Sequence, residues 1–205
     1  MDAERATREL AALRKIMERP VRYSTQSGLA GIWAGAIALL GLWLDNYLVD
    51  RYGNDPTHCA KLSLLAWAGV FTVTLLGVLG LTRLRERRAA MPLWSQIKKR
   101  ILLSIALPWL AGIGVTLIIV GRWYVGMGPN QWGLIPPLWM LFHGIACWQV
   151  GEFSIRELRW MGLAFVVAGL VVAAGFQSCP YWSLGLTFGG LHLLYGIIVT
   201  IRHGG

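Results

Sequence analysis

Charge is what this sequence has least of. Asp, Glu, Lys and Arg make up 14% of its 205 residues, where a soluble domain carries roughly a quarter, so the composition excludes an ordinary water-soluble domain. Familiar catalytic signatures are missing too. There is no Walker-type phosphate loop, no Gly-x-Ser-x-Gly, no His-Glu-x-x-His and no Cys-x-x-Cys, which removes the enzyme templates that those spacings serve. Carboxylates are not paired inside any apolar stretch: Asp45 and Glu152 come nearest to membrane depth and each sits near the end of its stretch. That speaks against ion-coupled transport, which usually needs an ionisable group at the midplane. A cleavable leader is not expected, because the first apolar run begins at Gly28 behind a segment holding Asp2, Glu4, Glu9 and Glu18.

What the chain does have is apolar length. Hydrophobic residues account for 56%, gathered into six runs near the 20 or so residues that cross a bilayer: Gly28–Val49, Leu62–Leu81, Ile101–Val120, Gly133–Val150, Leu158–Gly175 and Tyr181–Ile201. The expected fold is all-α and polytopic, with six transmembrane helices at 28–201, a short amphipathic cytoplasmic helix and linker at 1–27 and a cytoplasmic tail at 202–205. Ala3, Ala6, Leu10, Leu13, Ile16 and Met17 give the first segment its apolar face, and Pro20 ends it. It reads as a helix on the inner leaflet or against loop 82–100.

The formal charge of +9 points to topology rather than to nucleic acid, and no direct nucleic-acid contact is expected. Of 19 basic residues, only Arg51, Lys61 and Arg122 fall in alternate loops; the rest lie before span 1, between spans 2 and 3, between spans 4 and 5, or after span 6. Positive charge stays on the cytoplasmic side, so both termini are expected there, with the bacterial inner membrane as the default location. Arg83, Arg85, Arg87, Arg88, Lys98, Lys99 and Arg100 form the densest basic cluster, expected to touch anionic lipid or a partner. Trp43, Trp123, Trp132 and Trp182 fall at outer span ends, and Trp94, Trp148 and Trp160 at inner ones, the level that indole rings prefer.

Small residues mark close helix packing. Gly31 and Gly35 share a face of span 1, and Gly185 and Gly189 a face of span 6; a protein partner or a second copy is expected to use such Gly-rich faces. Sliding residues 18–41 by 134 positions matches Gly28, Gly35 and Gly41 to Gly162, Gly169 and Gly175, which raises the reading of three helical-hairpin repeats. Pro108 and the pair Pro136–Pro137 are expected to bend or loosen spans 3 and 4. The segment IMERPVRYSTQSGLAGIWAG resembles the entry into the first span of a group of uncharacterised bacterial multi-pass membrane proteins. The resemblance implies a six-span fold and no particular activity.

Histidine is the polar side chain at depth. His143 lies ten residues from Gly133 and His192 eleven from Tyr181, which at 1.5 Å per residue places both roughly 15–17 Å in from the outer face. Met140 and Cys147 stand one turn before and after His143, a soft set suited to copper, zinc or haem iron. Hydrogen bonding across a helix interface is the plainer expectation for such a histidine. Should the pair form a site, spans 4 and 6 must touch there, with Gly144 and Gly189 leaving room. Cys59 and Cys179 flank outer loops, where a disulfide is permitted; a bridge and two free thiols both remain open. The expected role is an accessory, sensor or complex subunit without catalysis of its own. A small transporter or channel built from hairpin repeats is the alternative, and a haem- or metal-binding redox protein using His143 and His192 the second.

Overall fold

The computed structural model describes residues 28–88, 96–127, 131–175 and 180–203, the side chain of Pro180 excepted. The segment 1–27, Trp94 and Cys179 lie outside them, and with them the expected amphipathic helix and one cysteine of the candidate disulfide. Within the described residues six α-helices follow one another: α1 Gly28–Tyr52, α2 Pro56–Arg88, α3 Gln96–Tyr124, α4 Ile135–Gly151, α5 Arg156–Gly175 and α6 Pro180–His203. All but α4 are long and apolar enough to cross a membrane. α4 has 17 residues and is entered through a 3-10 turn at Trp132–Leu134.

Local chemistry explains the boundaries. α1 closes at Gly53, whose N–H donates to Val49 O at 2.8 Å, and α2 opens on Asp55, whose Oδ1 accepts the His58 N–H at 3.0 Å. An Asp cap followed by Pro at the first helical position is a strong start signal. α3 stops where Gly126 takes a φ of +71°, which frees the Met127 N–H to reach Arg122 O at 2.8 Å. Pro136 and Pro137 occupy the first turn of α4, where a missing N–H costs nothing; they start the helix rather than bend it. Pro108 does lie inside α3 and is buried.

Two helix pairs approach most closely, α1 with α6 and α4 with α5, and glycine makes both possible. A Cβ added at Gly31 would stand 2.9 Å from the Cα of Gly196, and one at Gly35 would stand 2.8 Å from Gly189 O. Gly31, Gly35, Gly185 and Gly189 are therefore spent inside this chain, and a partner helix has no room on those faces. Of the glycines matched by the 134-residue shift, Gly28 and Gly35 pack against α6, Gly41 against α2, and Gly162 and Gly169 against α4, while a Cβ at Gly175 would meet nothing. The helices they pack against differ in chain order, α6 for Gly28 and Gly35 of α1 and α4 for Gly162 and Gly169 of α5. α2 is held to α1 by Trp33, which lies over Gly77 and donates to Val73 O at 3.4 Å.

The two ends of the bundle differ in charge. At one end Glu86, 4% exposed, takes Lys98 at 2.7 Å and Arg83 at 3.3 Å, tying α2 to α3. Glu157 of α5 takes Arg202 at 3.1 Å and His203 at 3.5 Å from α6. Arg159 bridges to Glu152 and lies over the ring of Trp148. Of the expected basic contact cluster, Arg83 and Lys98 are thus engaged by Glu86, while Arg87, Arg88, Lys99 and Arg100 remain exposed. At the other end Trp182 Nε1 donates to Asn46 Oδ1 at 2.6 Å. Trp43 and Trp182 are exposed there, but Trp132 is buried edge-on against Trp123 and serves packing instead of an interface belt.

Candidate functional site

α4 sets its one histidine among mostly apolar residues. Met140, His143 and Cys147 recur at helical spacing on its inner side, where Met140 is fully buried and Cys147 nearly so. α6 brings His192 to the same level. The two imidazoles face each other with ring centroids 5.1 Å apart, so their common depth is a real contact between α4 and α6. Cys147 Sγ lies 3.3 Å from His143 Nε2. His192 Nδ1 stands 2.9 Å from Phe188 O; a carbonyl can only accept, so the proton is on Nδ1 and Nε2 keeps its lone pair in the neutral ring.

Aromatic side chains from three helices enclose the pair. Phe165 of α5 meets His143 at 4.8 Å and His192 at 5.4 Å, and Phe188 of α6 meets them at 4.9 Å and 5.8 Å. Trp109 of α3 stacks on His143 at 6.2 Å, and its buried Nε1 has no hydrogen-bond partner. The glycines expected beside the histidines do other work. Gly144 packs against Gly162 of α5 and Gly189 against Leu39 of α1, so rings, not glycines, fill the α4–α6 contact.

This geometry decides between ligands. Phe165 and Phe188 lie against both imidazoles and 4.7 Å from each other, which leaves no slot for a porphyrin between the histidines. A haem does not fit. Among the described residues no three His, Cys, Asp or Glu side chains form a ready metal centre. The nearest approach is two imidazoles with the Cys147 thiol and the Met140 thioether close by. Unliganded, the arrangement satisfies His143 through Cys147 and His192 through Phe188, which is what a packing role requires.

Of the candidate bridge, only Cys59 lies within the described residues. Cys59 is a buried free thiol whose Sγ donates to Leu48 O at 3.8 Å. A second polar cluster does occur nearby, and sequence reasoning passed over it: Asp45, placed near a span end, is 2% exposed between α1, α2 and α6. Its signal was in the spacing, because Gly31, Gly35, Ala38, Leu42 and Asp45 continue one buried seam at steps of four and three. Comparison of the chain with protein-family models, curated proteins and solved structures returns no match.

Proposed function

We propose that this chain is an integral membrane subunit that crosses the bilayer six times, with both termini on the cytoplasmic side, and acts as an accessory or sensor component without catalysis of its own. The observation that supports it most is the contrast between filled and open glycines. Those on α1 and α4, with Gly162 and Gly169 on α5, are packed against a neighbouring helix, whereas a Cβ at Gly69, Gly80, Gly114 or Gly121 would meet nothing, as at Gly175 and Gly190. Gly69 and Gly80 are three helical turns apart on α2, and Gly114 and Gly121 two turns apart on α3, so each pair shares a face. In lipid, small residues aligned on one face are where another helix can approach. The exposed Arg87, Arg88, Lys99 and Arg100 lie at the ends of these same two helices, where they meet anionic headgroups or an acidic partner segment. A photo-crosslinking residue at Gly69, Gly80, Gly114 or Gly121 in native membranes should give a protein adduct of discrete mass, and at the exposed Leu40 or Leu194 only lipid adducts. Lipid adducts alone at every position would refute the subunit reading.

A second reading is favoured by the histidine geometry. Two imidazoles on one tetrahedral ion, with metal–nitrogen bonds of about 2.0–2.1 Å, have centroids roughly 5 Å apart, and those of His143 and His192 are separated by 5.1 Å. With the Cys147 sulfur and the Met140 thioether alongside, the chemistry suits copper(I) or zinc. In this reading the sensor responds to a soft metal ion held at the centre of the bundle.

A further inference from the structure

We propose that Asp45, set among Ser63, Trp67 and Tyr181 at the junction of α1, α2 and α6, is a proton-binding site whose carboxyl takes up and releases one proton while the chain stays folded. Asp45 and Ser63 are each 2% exposed. The Ser63 hydroxyl hydrogen-bonds to the carboxyl, and the Trp67 indole lies beside it. Yet Asp45 Oδ1, Trp67 Nε1 and Tyr181 OH are all buried without a hydrogen-bond partner. A set of adjoining polar groups this incompletely matched is unusual, since buried polar atoms are nearly always paired. No basic side chain among the described residues forms an ion pair with Asp45.

A buried carboxylate without a cation is neutralised by a proton at far lower cost than it can remain charged. Protonation removes that uncompensated charge and still leaves the carbonyl oxygen free to accept from a neighbouring indole N–H or phenol O–H. A metal ion fits less well. An indole N–H cannot ligate, which leaves only the carboxylate and two hydroxyls, fewer oxygens than a hard cation takes.

The groups facing Asp45 are few. From α2 they are Ser63, Trp67 and the buried thiol of Cys59, and from α6 Tyr181; Asp50, Arg51, Asp55, His58 and Lys61 at this end are exposed. Asp45 is seven residues from the end of α1, about 10 Å along the helix, so water at that end is the proton donor and acceptor. Release breaks the carboxyl O–H bond and leaves the carboxylate to the Ser63 hydroxyl. The site is separate from the histidine pair and from the open glycines, and stands or falls independently of the subunit reading.

The test is infrared difference spectroscopy of the full chain in lipid vesicles, titrated from about pH 5 to about pH 9. The wild type should show the C=O stretch of a protonated, poorly hydrated carboxyl that disappears as the pH rises; Asp45→Asn should lack it, and Asp45→Glu should show it displaced. Ser63→Ala removes a donor to the anion, so the midpoint should move upward by about one pH unit, a tenfold gain in proton affinity. That shift decides the matter if Asp45→Asn does not fold. A wild type without a titrating carboxyl band, a band that persists in Asp45→Asn, or a midpoint unmoved in Ser63→Ala would each overturn the assignment.

Discussion

Gly144 and Gly162 each occupy the space that a side chain on the other would need: a Cβ added to either one stands 2.7 Å from the carbonyl oxygen of its counterpart. The obstacle in both directions is backbone, which cannot step aside as a side chain can. Gly144→Ala or Gly162→Ala should therefore destabilise the bundle by about 1–3 kcal/mol, read as reversible unfolding in mixed micelles. Gly69→Ala is the control, because its Cβ would meet nothing, and it should be neutral or slightly stabilising. Equal effects at the three positions would show that α4 and α5 do not meet through these glycines.

Alanine at His143 or His192 separates ligation from packing. Protein purified from its native membrane, or loaded with copper(I) or zinc, should hold about one metal ion per chain, lost in either variant and reduced in Cys147→Ser. If the histidines only pack, elemental analysis should find no metal, and each variant should cost just about 0.6–2 kcal/mol of helix association. No Soret band is expected under any condition, because Phe165 and Phe188 occupy the faces that a porphyrin needs.

Glu86 should be the costliest surface-end residue to remove. Its side chain is 6% exposed and holds Lys98 and Arg83, and breaking a buried pair leaves the remaining charges without compensation. Glu86→Ala should lower stability by about 3 kcal/mol. Replacing Glu157, whose partner Arg202 is 66% exposed, should cost less than about 1 kcal/mol. Chemical denaturation of both variants in the same detergent makes the comparison, and a reversed order would contradict the burial argument.

Topology can be read with fusions after Arg88 and after Arg202. Cytoplasmic reporters should be active at both places and exported reporters at neither, following the partition of basic residues. An active exported reporter at either one would invert the assignment and put the Asp45 end on the cytoplasmic side.

The helices were legible because their determinants are local. Apolar runs, the Asp55–Pro56 start and the gap between runs lie within a few residues of the boundary they set, and five of the expected spans fall inside helices α1, α2, α3, α5 and α6. The shared depth of His143 and His192 was legible too, since it follows from helical rise. Helix adjacency was not. Which face of α4 meets α6 depends on all six helices packing at once, so the glycines assigned to that contact turned out to face α1 and α5, and the rings that fill it went unnamed. Asp45 lies deeper than its place near the end of an apolar run implies, because α1 runs on to Tyr52, three residues beyond that run.

α2 has 33 residues and α4 has 17, so at 1.5 Å per residue they measure about 50 Å and about 25 Å. Their apolar runs are nearly equal, Leu62–Leu81 against Gly133–Val150, so the extra length of α2 lies in the polar and charged turns at its two ends and not in a thicker hydrophobic band. In a six-span arrangement α2 is therefore a mast that stands clear of the hydrocarbon, and it carries Glu86 and its cations out to the water while α4 stops short of it.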